Sequence, residues 1–377
     1  MPRDGGRRVT DTEMEAKKTA DGRGLRRLVP PLLAWYGRQR RAFPWREEPT
    51  PYRIWVSEIM LQQTRIEAAL PYFERFMAAL PTVAALAGAE EDRLMKLWEG
   101  LGYYSRARNL QKAAKVIVAE YGGELPASYE RLLALPGIGE YTAGAIASIA
   151  FGLPVPAVDG NVLRVCARLL DDEGDITRAP VKKRLRDAVC AMLPPESPGD
   201  FNQAVMELGE TVCLPNTVPL CGECPLRGGC LGRQAGRPER LPVRSEKKAR
   251  RVERRTVLIV LAAGRVLLRR RGAKGLLAGL WELPSAEGWL TPEEAAAVAA
   301  GWGAEPWKAE PAGEGKHIFS HIEWHMQGVR LDTPPFDPPA GFRWADGRQL
   351  REETALPSAF RAYSSRLSAW LREPDAG

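Results

Sequence analysis

Cysteine is scarce in this chain, six in 377 residues, and histidine scarcer still at three. With so few thiols and no secretory leader at the start, where the first residues are polar, charged and Gly-rich, a disulfide framework is not expected. A reducing compartment is: cytoplasmic and nucleoid-associated if the chain is bacterial. No apolar run approaches the ~18 residues of a membrane helix, so no membrane partner is expected. The histidines His317, His321 and His325 recur every fourth residue, but in a strand-like segment each step spans ~13 Å, too far for one metal ion.

The scarce cysteines are unevenly placed. Cys213, Cys221, Cys224 and Cys230 crowd together, whereas Cys166 and Cys190 lie in apolar, helix-like surroundings and read as reduced core residues. The spacing Cys-x7-Cys-x2-Cys-x5-Cys has one short pair flanked by looser ligands. That suits four thiolates on an iron-sulfur cubane better than the paired knuckles of structural zinc.

Charge is uneven too. Residues 233–255 hold ten Lys/Arg against three Glu, an excess as large as the whole chain's +7, and read as a solvated basic linker. Solubility alone explains such a run, although a polyanionic partner also fits it. Residues 25–232, before the linker, have helical periodicity with Gly and Pro punctuation. From 256 to 372 the period shortens to that of strands: Val257–Leu261 is a buried run, Ala262-Ala263-Gly264 a turn, Arg265–Arg270 its hairpin partner. Thr291-Pro292-Glu293-Glu294 then announces a helix through a capping box. The chain is therefore multidomain, an all-α part joined to an α+β domain, with a flexible segment over 1–24.

Several motifs carry chemistry. Leu135-Pro136-Gly137-Ile138-Gly139 is a tight turn between helical segments, and small residues after it let the next helix pack closely. Its free N–H groups suit a phosphate, and an ordinary helix-turn-helix corner fits the same residues. Asp159, in Val158-Asp159-Gly160-Asn161-Val162, caps a helix or serves chemistry. Glu58 stands in a helix apolar nearly all round, so its carboxylate faces a cleft or is buried with a raised pKa. Gln62 and Gln63 follow it with amides for bases or sugar-phosphate. Tyr103 and Tyr104 beside Arg106 suit base stacking and equally suit a core.

Taken in order, Pro44-Trp45-Arg46, Ser57 to Thr64, Trp98 to Tyr104, the Leu135 hairpin, Val158 to Val162 and the four cysteines resemble the helix-hairpin-helix DNA glycosylases of the endonuclease III superfamily, in particular the adenine-excising branch. The resemblance runs from about Leu25 to the C-terminus. It implies a glycosylase core with a [4Fe-4S] cluster held by Cys213, Cys221, Cys224 and Cys230 in the loop 213–230, and a MutT-like (Nudix-fold) domain that recognises 8-oxoguanine. The substrate implied is double-stranded DNA with adenine opposite 8-oxoguanine or guanine, acted on by a monomer.

Residue roles follow from the same resemblance. Glu58 protonates the base. Asp159 stabilises the sugar cation or adds to it, the two carboxylates dividing the work as in a retaining glycosidase with their pKa values pushed apart. Tyr141 and Asn161 orient Asp159. Arg46, Trp45, Leu61 and Gln203 form the adenine pocket, Gln63 and Tyr103 wedge into the duplex, and Thr64 joins the substrate-binding set. Leu135, Gly137 and Gly139 bind phosphate, with Arg227 available for the same task. Phe319, Ser320 and His321 read the lesion, Ser320 by hydrogen bonding. Members that also nick DNA carry a lysine where this chain has Tyr141, and a phenol cannot form their imine, so the resemblance implies a monofunctional enzyme that leaves an abasic site. The R-E-x-x-E-E helix of true Nudix hydrolases is missing, and nucleotide pyrophosphatase activity is not expected. One departure is visible: seven residues separate the first two cysteines where the family has six.

Overall fold

The structure, a computed structural model, describes residues 24–246 and 249–371. The segment expected to be flexible, 1–24, lies outside the described residues except for Gly24. The chain divides into two compact units: Met1–Gln63 with Lys112–Glu246, and Thr64–Gln111 with Lys247–Gly377. Among the described residues no helix is long and apolar enough to cross a membrane.

The first unit is helical. Its helix Pro51–Leu61 starts with proline at the first position and the Thr50 hydroxyl accepting from the Arg53 N–H at 3.3 Å. Tyr52 and every residue from Ile54 to Met60 are buried, so the helix sits inside the unit rather than on its surface. Helix Glu140–Phe151 packs on it and on Pro198–Thr211, which in turn meets Gly160–Leu169 and Val29–Gln39. The contact between Pro198–Thr211 and Glu140–Phe151 is close because of a small residue: a Cβ on Gly199 would stand 2.7 Å from the Ser148 carbonyl oxygen. Leu32, Trp35, Cys166, Leu185, Val189, Phe201 and Leu208 are among the apolar side chains of one core here, each worth about 1.5–3 kcal/mol on full burial.

Cys166 is buried, but Cys190 is exposed, a correction to its reading as a core residue. Helix Ala179–Met192 buries Val181, Leu185, Val189 and Met192, and Cys190 falls one residue off that stripe. The stretch 233–255 also differs from a solvated linker. Leu241 is buried, its carbonyl accepts from Arg168 Nε at 2.9 Å, and Val243 bridges Asp175. Apolar and carbonyl groups thus tie its first half to the helical unit, although most of its cations remain exposed.

The second unit carries helices Ile66–Ala79, Val83–Ala87 and Glu91–Leu97 beside a mixed sheet of seven strands. These are β1 (Arg251–Ala262), β2 (Arg265–Arg270), β3 (Trp281–Glu282), β4 (Ser285–Glu287), β5 (Lys308–Ile318), β6 (Ile322–Asp332) and β7 (Phe342–Ala345). Their order is β3-β2-β1-β6-β5, with β4 paired to β1 and β7 to β2; β1 and β6 run parallel over eleven pairs, from Arg251–Ile322 to Leu261–Asp332. Both faces of β1 are covered, which is why Val257–Leu261 is apolar without alternation. Val257, Ile259 and Leu261 pack with Phe360, Tyr363 and Leu367, while Leu258 and Val260 face Ala295 and Ala299. The Thr291–Glu294 capping box forms as expected, and Glu294 is spent on it.

Pairing Ala262 with Arg265 leaves Ala263-Gly264 as a two-residue turn, both residues at positive φ (45° and 69°). That geometry favours Asn-Gly, and alanine there is strained. Ala263→Asn is expected to stabilise this unit by about 0.5–1 kcal/mol, read as a higher denaturation midpoint with unchanged slope; a lower midpoint contradicts the turn assignment.

Candidate active site

Glu58 lies on the buried helix Pro51–Leu61, 8% exposed. Burial, reinforced by the negative charge of Asp159, pushes its carboxyl up to about 7; the Tyr141 hydroxyl, donating to Oε2 at 2.5 Å, and the Arg46 charge oppose the rise. The carboxylate is therefore buried with a raised pKa, one of the two alternatives open from sequence. Tyr141, expected to orient Asp159, hydrogen-bonds Glu58 instead. It reaches there because it occupies the second position of Glu140–Phe151, the helix packed on the Glu58 helix.

Asp159 takes the capping role that its motif allows. It is the N-cap of Gly160–Leu169, accepting from the Val162 N–H at 2.8 Å on Oδ1 and from Asn161 Nδ2 at 2.9 Å on Oδ2. Burial raises its pKa, and the Val162 and Asn161 donors with the Arg164 charge pull the other way. Both carboxyls are thus raised, which differs from two values simply pushed apart. The donor sets supply the asymmetry: backbone and side-chain N–H groups favour ionised Asp159, while Glu58 has one phenol and an anion nearby.

Sequence reasoning missed Arg164. Its buried guanidinium donates through Nη2 to Asn161 Oδ1 (2.8 Å) and the Gly209 carbonyl (2.7 Å), and through Nε to the Cys213 carbonyl (2.9 Å). The i, i+3 spacing from Asn161 was the available signal.

The expected adenine-pocket residues meet in part. Arg46 donates from Nε to Gln203 Oε1 at 3.1 Å and from Nη2 to Glu207 Oε2 at 2.9 Å, with its guanidinium over Phe43, on which Trp45 stacks at 5.1 Å. Glu207, also missed, is fully enclosed and ion-paired to both Arg41 and Arg46. It stands one turn beyond Gln203 on helix Pro198–Thr211, a signal visible in the sequence. Leu61 and Thr64 are half-buried, and Gln63 is exposed at φ 61°. For a non-glycine residue that is a strained conformation.

In the hairpin Leu135 is buried, Gly137 sits at φ 76°, and Gly139 caps Glu140–Phe151. The first N–H groups of that helix have no intrahelical acceptor by geometry.

Cys213, Cys221, Cys224 and Cys230 line one cavity with Arg168, Arg227 and Arg233. Arg168 Nη1 approaches Cys213 Sγ at 3.3 Å, and Arg227 Nη1 donates to the Gly222 carbonyl at 2.6 Å. Among the described residues no group of three His, Cys, Asp or Glu side chains is placed to hold a single metal ion. The longer first gap is accommodated in the loop Leu214–Leu220, where Asn216 adopts φ 54° and Val218 is exposed.

In the second unit Phe319, Ser320 and His321 form the tip between β5 and β6. Phe319 packs between His317 (4.5 Å) and Trp324 (4.9 Å), and the His321 carbonyl accepts from the Arg251 N–H. Ser320 Oγ is 2.8 Å from the hydroxyl of Tyr103, which is 46% exposed and held at φ 46°. His325 pairs with Glu323.

The first unit thus holds a buried acid with a raised pKa, an aspartate that caps a helix, and a glycine hairpin that leads into the helix carrying Tyr141. Residues 56–190 match the HhH-GPD superfamily of base excision DNA repair proteins, and residues 256–366 match the NUDIX domain. A solved thermostable thymine-DNA glycosylase covers 57% of this chain and 99% of its own, at 26% identity and a TM-score of 0.52. The human adenine DNA glycosylase is 36% identical over 400 residues, spanning 88% of this chain and 73% of that protein; the rat enzyme is 36% identical over 398, spanning 88% and 77%. The chain belongs to the adenine DNA glycosylase (MutY) family, enzymes of base-excision repair that hydrolyse N-glycosidic bonds in DNA.

Proposed function

We propose that this protein removes adenine opposite 8-oxoguanine or guanine from double-stranded DNA, as a monomer and without cutting the strand. The Glu58–Tyr141 hydrogen bond, on an enclosed carboxyl with a pKa of about 7, carries the reading. At neutral pH a large fraction of Glu58 holds a proton for adenine N7, which turns a poor leaving group into a neutral one. Asp159, held by Val162 and Asn161, supplies the negative charge that the oxocarbenium-like sugar needs. Flipping the adenine out costs a few kcal/mol, least for a mispair. Arg46, Trp45, Leu61 and Gln203 enclose the base, Gln63 and Tyr103 occupy the gap it leaves with Thr64 alongside, and N–H groups about Leu135, Gly137 and Gly139 take a phosphate.

The position of Tyr141 supports a monofunctional reaction, since a phenol forms no imine with the abasic sugar. The Ser320–Tyr103 contact and the packed Phe319 support lesion reading at the 319–321 tip. Four thiols around one cavity, beside the Arg168 guanidinium, fit a [4Fe-4S] cluster on Cys213, Cys221, Cys224 and Cys230. When bound, such a cluster cross-links the 213–230 loop; the base-removal steps belong to Glu58 and Asp159.

Single-turnover assays on duplexes with adenine opposite 8-oxoguanine, guanine and thymine test the reading. Adenine is expected to leave fastest opposite 8-oxoguanine, more slowly opposite guanine and not measurably opposite thymine, with strand breakage only after alkali. Equal rates on all three, or an efficiently trapped borohydride adduct, would overturn it.

A further inference from the structure

We propose that Lys96 and Glu99 form a clip that positions Tyr103 against Ser320 and so sets how strongly the enzyme discriminates 8-oxoguanine from guanine opposite adenine. The inference rests on the lesion-reading role given to the 319–321 tip.

Lys96, Glu99, Tyr103 and the C-terminal sheet all belong to the second unit. Other contacts between residues 91–108 and the sheet region include exposed, solvent-screened ion pairs, such as Asp92 with Arg343 at 3.6 Å and Glu91 with Arg270 at 3.7 Å. Lys96 and Glu99 differ in chemistry. Glu99 accepts from the Leu356 N–H on Oε1 at 2.8 Å and from Lys96 Nζ on Oε2 at 2.5 Å. Lys96 Nζ also donates to the carbonyls of Leu350 (2.8 Å) and Thr354 (3.3 Å). All three ammonium protons have acceptors. The pair therefore grips the backbone of residues 350–356 in one register, and backbone bonds of this kind fix position rather than merely attract.

The chain between this clip and Tyr103 has little slack. Trp98 is buried and its Nε1 donates to the Gly102 carbonyl at 3.1 Å. Arg106 Nη2 donates to the carbonyls of Leu101 (3.0 Å) and Gly102 (3.2 Å), with its guanidinium over both Trp98 and Tyr103. Gly100, at φ 101°, presses so closely on Tyr72 that a Cβ would stand 2.2 Å from the phenol oxygen. A shift at Glu99 is thus passed along a braced segment to Tyr103, whose strained backbone is held with its hydroxyl on Ser320. Positioning errors near 1 Å cost such sites up to about a hundredfold.

The test compares single-turnover rates, at saturating enzyme, on adenine:8-oxoguanine and adenine:guanine duplexes for the wild type, Glu99→Ala, Lys96→Met and Glu99→Gln. The first two variants are expected to lower the ratio of the two rates about tenfold, by loss on the 8-oxoguanine duplex. Glu99→Gln retains an amide oxygen for the Leu356 N–H and is expected to recover part of the ratio. Glu99→Ala added to Ser320→Ala should lower the ratio no further than Ser320→Ala alone. A ratio unchanged in Glu99→Ala, or both rates falling in proportion, overturns the clip. A wild type with no preference for 8-oxoguanine instead overturns the functional reading on which the clip rests.

Discussion

Glu58→Gln and Asp159→Asn are each expected to abolish useful adenine excision while leaving DNA binding close to normal. Loss of the Glu58 proton removes general-acid catalysis, worth about 10²–10⁴ in rate. The Asp159 change replaces an anion beside a developing cation by a neutral amide, and electrostatic stabilisation of that kind supplies at least a comparable factor, about a thousandfold. The amide that Asp159→Asn introduces would also turn one NH₂ toward donors that now address a carboxylate. Single-turnover rates at saturating enzyme read the loss directly. Normal cleavage by both variants would place the chemistry elsewhere.

The same two groups predict a pH profile. With Glu58 as the proposed acid, the rate should fall about tenfold per pH unit above its value near 7, and fall again at low pH where Asp159, itself raised by burial, takes up a proton. Stability carries the matching sign. Glu58 has a folded pKa raised from 4.5 to about 7, so its contribution is fully present below the unfolded value and is lost as pH rises through 7. A shift of that size corresponds to about 3 kcal/mol. Glu58→Gln should therefore be more stable than the wild type at pH 8 and show little difference at pH 4.5. A Gln variant with the same pH dependence of unfolding as the wild type would contradict the burial argument.

What was legible in the sequence depended on separation along the chain. The Thr291 capping box, the Asp159 cap and the β1–β2 hairpin are local, and residues within five positions of each other determine them. Glu58 was legible because a carboxylate in an apolar helix is anomalous whatever surrounds it. Its partner was not: Tyr141 lies 83 residues away, and only the packing of two helices brings its hydroxyl to Glu58 rather than Asp159. Glu207 and Arg164 went unread for a related reason. Charged residues on amphipathic helices look solvated until the helix is placed, and then they prove to be enclosed. The Lys96–Glu99 pair reads as an ordinary i, i+3 surface contact until the backbone some 250 residues later arrives against it. Basic composition misled in the stretch 233–255, where buried Leu241 and the carbonyls of Leu241 and Val243, taken by Arg168 and the Ile176 N–H, tie the chain to the helical unit.

If the four cysteines hold the proposed [4Fe-4S] cluster, its loss is expected to reach the proposed active site through Arg164. Burial pushes the Cys224 thiol up to about 12 and also raises Cys221 and Cys230. Thiolates at these three positions need a compensating positive charge, so loading a metal cluster there would release protons. Without it the loop keeps apolar anchors, Leu226 in the helical core and Gly229 against Leu28, but loses its cross-link. The Cys213 carbonyl then moves more freely, and it is one of three acceptors that hold the Arg164 guanidinium whose Nη2 orients Asn161, which orients Asp159. Cys224→Ser is thus expected to lose iron, unfold several degrees lower, and cleave about tenfold more slowly even at saturating enzyme. Arg164→Gln should reproduce the slower cleavage while keeping its iron. That pair separates the two links of the chain: if Arg164→Gln cleaves at the wild-type rate, the cluster loop affects stability and DNA affinity alone, and the path from Cys213 to Asp159 carries no catalytic weight.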